Sequence, residues 1–292
     1  MKSKKNQAKY FYMFISPWLV GFFLLTFIPL VYSVYLSLTK YKGASVPQFI
    51  GLQNYTDILF YDDLFRKSLV NSFHYALIAV PTSLMLALII AFMLSKESKL
   101  SSFFQIVFYF PSIAAGAAVY TVAKLLLRGE GGLINYFLSI FGIQGPYWLT
   151  DAKWAMNGLI LVNLIFCGSQ MLIFLAGIKQ IPASYYEAAK IDGANNATCF
   201  FKITLPLIAN VFAFNLVMGI INAFQVFVQP LIMTGGGPMK KTYMYGMYIY
   251  DSGFSFGRFG YSAALAWIMF IIILFISMVI LKTLQKRMNY ED

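Results

Sequence analysis

The sequence predicts an all-α, polytopic membrane protein with six transmembrane helices. Three observations carry this. Only 11% of the 292 residues are charged and 60% are hydrophobic, where soluble domains are roughly 25% charged. Cutting the chain at every Asp, Glu, Lys and Arg leaves six long charge-free runs: 10–39, 68–95, 100–123, 154–178, 203–239 and 259–281. Each can supply the ~20 residues that cross a bilayer as a helix. Inside lipid the backbone must satisfy its own hydrogen bonds, so helices are the natural spanning element.

Span one fills 10–39, with Pro17 and Pro29 expected to bend it. It has no small-residue cleavage site after a short apolar core and reads as a retained span, not a signal peptide. An outer loop runs to Lys67. Span two ends near Leu94 at the short inner turn SKESKL, 95–100. Span three follows, then an outer segment, 128–153. Its apolar piece, 133–141, is flanked by Gly131, Gly132, Gly142, Gly145 and Pro146 and is too short to span. It fits a helix lying at the interface. Span four ends near Ile178, and a polar island, 187–206, separates it from span five, expected from about Pro206 to Ile232. TGGGP, 234–238, then leads to span six. The chain reads as one integral domain, 1–292, with its core at about 68–282 and an inner coupling loop at 179–205.

Six spans put both tails on one side. Basic residues are denser on the tail side, so both termini are expected in the cytoplasm. The net charge of +11 then reads as topology and contact with anionic lipid. No basic patch interleaved with stacking aromatics points to nucleic acid. Cys167 and Cys199 read as unpaired thiols. His74, the single histidine, is expected to be packed, with no second ligand to make a metal site.

The island is helix-compatible from Ser184 to Lys190, with Pro182 suited to a first turn and Glu187 expected early in the helix. Gly193 is placed to end it, and a second short helix is expected over 198–204. This would be a stiff helix–turn–helix. From its pattern alone it is equally a docking element or an ordinary interfacial structure.

Span five carries Asn215, Met218, Asn222, Gln225 and Gln229, which fall on one face of a continuous helix. In span four, Asn163 and Gln170 are seven residues apart and share a face in the same way. Amides facing lipid are costly, so the stripe should face a wet cavity or other helices. Beside aromatic rings, uncharged amides suit a sugar, whose hydroxyls donate and accept. The same amides could instead be interhelical glue.

The island, EAAKIDGANNATCFFKITLP, resembles the EAA loop of bacterial ABC importer permeases. The matches are Glu187, Ala188, Ala189, Asp192, Gly193, Ala194, Leu205 and Pro206, with Ile203 and one of Phe200 or Phe201 between. One departure is that no further proline follows within 207–211. SPWLVGFFLLTFIP, GLQNY, FPSIAAG, GGLIN and TGGGP are similar to the carbohydrate-uptake group of these permeases. The first and last resemble the maltose- and glycerol-phosphate-type first permease. The extra N-terminal helix and large periplasmic domain of the enterobacterial maltose permease are not in this sequence.

The resemblance implies a type I ABC importer permease fold in a bacterial cytoplasmic membrane. It implies a heterodimer with a second permease, two ATPase subunits, an extracytoplasmic solute-binding protein and a sugar substrate. The island would sit in a cleft of the ATPase, and spans four and five would supply the binding pocket. ATP and Mg would be bound by the ATPase, with no cofactor on this chain.

Two other classes bear comparison. An ion-coupled secondary transporter normally needs intramembrane carboxylates, and the six runs hold none. An intramembrane enzyme would need a nucleophile–base, paired-carboxylate or metal-ligand constellation, which the spans lack. TGGGPMKKT is no Walker A, because Lys240 and not glycine precedes Lys241.

Overall fold

The computed structural model describes residues 2–96 and 98–288. Glu97 of the inner turn lies outside the described residues, as do the side chains of Lys2, Lys4, Lys5, Lys9, Lys286 and Arg287.

In chain order the helices begin with α1 (Lys2–Phe22) and α2 (Ile28–Ser37), joined by a π-turn. A two-residue antiparallel ladder follows, β1 (Thr39–Lys40) with β2 (Gln48–Phe49). Then come α3 (Gln53–Thr56), α4 (Asp63–Met93), α5 (Lys99–Ile113), α6 (Gly116–Leu126) and α7 (Leu133–Ile140). Next are α8 (Ala155–Asn163), α9 (Gly168–Lys179), α10 (Ala183–Ile191), α11 (Asn196–Cys199) and α12 (Leu205–Leu207). The last four are α13 (Ala209–Phe224), α14 (Val228–Met233), α15 (Tyr245–Tyr250) and α16 (Phe259–Met288).

Three stretches, Tyr10–Ser37, Asp63–Met93 and Phe259–Thr283, are single helices long and apolar enough to cross a membrane. The other three apolar stretches are bent helix pairs. Lys99–Ile113 meets Gly116–Leu126 at 100°, Ala155–Phe166 meets Gly168–Lys179 at 45°, and Asn196–Leu207 meets Ala209–Phe224 at 74°. The first bend follows from Ala114 and Ala115, whose extended backbone interrupts the helix just after Pro111 and Ser112. Hydrophobic runs register total apolar length and are blind to such breaks. Span five is corrected at its start: Pro206 belongs to the short α12, and the helix proper begins at Ala209.

The chain divides into two compact units. In the first, 1–62 with 249–270, the GLQNY motif has a concrete role. Buried Asn54 donates from Nδ2 to the carbonyls of Ser37 and Thr39, at 2.8 and 3.0 Å. The Tyr55 hydroxyl lies 2.7 Å from Ser37 Oγ. The Asn54 amide thus satisfies carbonyls left open where α2 ends.

In the second unit, 63–248 with 271–292, α4 is the central post, packed by α8, α9 and α13. Small residues set the spacing. A Cβ on Gly168 would lie 2.2 Å from the Phe108 carbonyl oxygen, so α9 and α5 approach at backbone distance. GGLIN is likewise a local scaffold, with Asn135 donating to Gly129 and Pro146 carbonyls and accepting from Trp148 Nε1 at 2.7 Å. Beside it Tyr147 donates to Glu130 at 2.9 Å, and that hydrogen bond raises the phenol pKa. His74, expected to be packed, instead lies exposed on α4, because the buried face of that helix runs through Asn71, Ser72, Tyr75 and Ala79.

Candidate functional site

The second unit encloses a cavity of about 410 Å³ between α4, α6, α8, α9, α13 and α14, within the ~300–1,000 Å³ usual for small-molecule sites. Its polar lining includes Asn163, Gln170, Asn222, Gln225 and Gln229, brought together from four elements. Asn163 and Gln170 meet there across the 45° bend, not along one straight face. Gly219 leaves the room: a Cβ would stand 3.0 Å from Val80 Cγ1 and 3.4 Å from Gln170 Nε2.

The single continuous stripe on span five needs correction. The helix ends at Phe224, Gln225 is its C-cap, and residues 225–227 form a break before α14. That unwound stretch lines the cavity, where irregular backbone at membrane depth is tolerated. A Cβ at Gly246 would lie 2.9 Å from the Val226 carbonyl oxygen, so a backbone-close contact supports the break.

Asn215 does not line the cavity. It lies two turns, or ~10 Å, along α13 from Asn222, is 1% exposed, and neither of its side-chain polar atoms has a hydrogen-bond partner. The stripe continues past the cavity floor into packed helix. Gln229 does line the cavity, but both ends of its amide are engaged, with Tyr75 and with the Leu159 carbonyl. Among the described residues, the amides of Asn163, Gln170, Asn222 and Gln225 have no hydrogen-bond partner.

Sequence reasoning missed Tyr75, Ser83, Ser112, Tyr120, Phe166, Ser169 and Phe227, which supply the other hydroxyls and rings of the lining. A signal existed for two of them. Asn71, Tyr75, Ala79 and Ser83 recur every fourth residue along α4, a small and polar stripe in an otherwise oily span. Ser112 and Phe227 sit at breaks that no periodicity announces.

The island is the helical elbow α10–α11–α12. Gly193 has φ +79°, and its N–H bonds the Lys190 carbonyl while the Ala194 N–H reaches Ala189 at 2.8 Å. This is a Schellman end that glycine accommodates without steric cost. Glu187, expected early in the helix, lies fifth of nine residues in α10, at its middle, because the helix starts at Ala183 with Pro182 as its cap. The second arm begins with Asn195, whose side chain accepts from the Thr198 N–H at 2.8 Å, and so starts earlier than expected. Tyr186 and Thr204 hydroxyls, 2.9 Å apart, tie the two arms.

Glu187, Ala188, Asp192 and Gly193 are exposed, and Ile191 is 87% exposed at the tip; Ala189, Ala194 and Leu205 are half-buried, and Pro206 is exposed. The elbow runs on into α13 at its far end and meets the bundle at two further points. It continues directly from α9, and Phe200 packs edge-to-face on Phe92 of α4 with ring centroids 4.9 Å apart. Both of those helices also line the cavity.

A family model described as "binding-protein-dependent transport system inner membrane component" matches residues 63–290. The chain belongs to this family. It is therefore the membrane permease subunit of an importer and not an enzyme; in this family ATP hydrolysis is carried by separate subunits. The permease is 39% identical to the probable ABC transporter permease protein YesP of Bacillus subtilis, over 96% of this chain and 92% of that one. It is 32% identical to the sulfoquinovosyl glycerol transport system permease protein SmoG of Agrobacterium fabrum, over 88% and 83%. Among solved structures, a chain of a bacterial ABC transporter involved in import of the acidic polysaccharide alginate superposes with a TM-score of 0.82. That match covers 97% of the permease and 98% of the other chain at 20% identity, and shows the shared fold. Membership removes the ion-coupled and enzymatic alternatives.

Proposed function

We propose that this permease forms half of a sugar path through a bacterial cytoplasmic membrane, with both termini in the cytoplasm. A second, similar permease supplies the other half, two ATPase subunits bind the elbow, and an extracytoplasmic solute-binding protein delivers substrate. ATP and Mg belong to the ATPase. The observation that carries the reading is the cavity: four amides, without partners among the described residues, converge from α8, α9, α13 and its C-cap on a space walled partly by Tyr120, Phe166 and Phe227. That is the chemistry of a polyhydroxylated solute, whose C–H faces lie on rings while its hydroxyls meet amides. The names of similar proteins, one for a sulfoquinovosyl glycerol and one for alginate, agree with that class.

In this reading Asn163, Gln170, Asn222 and Gln225 contact substrate, Gln229 positions α14, and Glu187, Ala188, Ala189, Asp192, Gly193 and Ala194 meet the ATPase. ATP-driven closure of the motor shifts the elbow as a rigid body, and α4 and α9 carry the shift to the cavity. The test is co-purification followed by uptake in vesicles. The complex should retain ATPase subunits and accumulate one member of a sugar panel only when ATP is supplied inside. Accumulation by the permease without a motor would overturn the proposal.

A further inference from the structure

A second cavity, of about 630 Å³, lies behind the elbow and away from the amide-lined site. Phe92 and Met93 at the end of α4 and Ile178 and Ile181 at the end of α9 give it an apolar wall. Lys96, Lys179 and Lys190 line it from three different elements. Among the described residues no carboxylate lines it. Glu187 on α10 and Asp192 at its C-cap are exposed and lie outside the lining. The cavity stands where the charge-free runs of spans two and four stop, at Ser95 and Ile178. That is the depth at which hydrocarbon gives way to lipid phosphates.

Lys96, Lys179 and Lys190 are all exposed, yet they do not diverge into water along separate surfaces. The three, from separate elements, border one hollow whose other wall is oily. The occupant that satisfies both halves carries a negative headgroup and a hydrocarbon chain. We propose that this cavity is a binding site for one anionic phospholipid, its phosphate held by Lys96 and Lys190 and its acyl chain laid along Phe92 and Ile178. Basic pockets between helix ends at the inner membrane surface recognise acidic headgroups in this way. The lipid would wedge between the span ends and the elbow, so its presence would tune how firmly the elbow follows the bundle. That consequence rests on the docking role proposed above; the binding itself does not.

The full chain, purified in detergent, is titrated with phosphatidylglycerol and phosphatidylcholine of equal chain length, and retained lipid is counted by native mass spectrometry. One phosphatidylglycerol should be retained with a preference of roughly tenfold or more over phosphatidylcholine. K96Q/K190Q should lose that preference, K96R/K190R should keep it, and K42Q/K153Q, the same charge removed elsewhere, should keep it. Equal retention of the two lipids, or an unchanged preference in K96Q/K190Q, overturns the site. Displacement of the lipid by glycerol phosphate or inorganic phosphate would assign the lysines to a free anion and also overturn it. The titration contains no ATPase, so its failure leaves docking untouched. Conversely, an impermeant maleimide reaching K190C from outside sealed cells would overturn the orientation of the elbow while the lipid titration still stood.

Discussion

Tyr75 donates its hydroxyl proton to Oε1 of Gln229 at 2.9 Å, and Gln229 in turn donates from Nε2 to the Leu159 carbonyl at 2.7 Å. One amide thus ties α14 to α4 and α8 at the edge of the cavity. Gln229→Ala would strand the buried Tyr75 hydroxyl and remove a second donor from the Leu159 carbonyl. It should destabilise by about 1–3 kcal/mol, read as a lower unfolding temperature of the purified permease. Tyr75→Phe should cost less, about 1 kcal/mol. Wild-type stability in Gln229→Ala would mean the bridge holds nothing.

Asn222 and Gln225 present amides to the same cavity that have no partner among the described residues. Alanine at either should weaken sugar binding by about five- to tenfold, the loss of one or two hydrogen bonds. Expression and assembly should be unchanged, measured by recovery of the intact complex beside uptake. Loss of assembly would instead mark these side chains as interhelical glue.

Asn215 gives the opposite expectation. Its buried amide is unsatisfied at both atoms, so Asn215→Leu should leave uptake intact and raise stability, by at most about 1–3 kcal/mol. A fall in thermal stability would show that the amide finds a partner.

Gly193 has open space where a Cβ would go, so only its positive φ constrains it. Gly193→Asn, tolerant of that conformation, should keep coupling. Gly193→Val should cost about 1–2 kcal/mol locally and deform the exposed elbow, leaving ATP hydrolysis without matching uptake in the reconstituted complex. Full uptake in Gly193→Val would sink the rigid-elbow mechanism.

Much of this was legible before any coordinates. Charge-free runs located all six apolar stretches, because desolvating charge is so costly that a membrane span must exclude it. The elbow was readable from Gly193 and its neighbours, since local backbone chemistry decides a helix end. Asn163, Gln170, Asn222, Gln225 and Gln229 were readable as cavity-lining candidates from the scarcity of amides in oil. Asn215 was misplaced with them, and Tyr75, Tyr120 and Ser112 were overlooked, because periodicity assumes a straight helix and says nothing about its neighbours.

The sequence by itself determined a helical membrane protein, its family and the chemistry available along each span, all properties set by composition and by contacts within a few residues. Tertiary structure alone decided where spans three, four and five bend. It also decided that the helix gives way at Gln225, and which amide is spent on Tyr75 and which stays open to a ligand. Those outcomes depend on close approaches such as Gly168 on Phe108 and Gly246 on Val226. Such contacts join residues distant in the chain, whose packing no local pattern encodes.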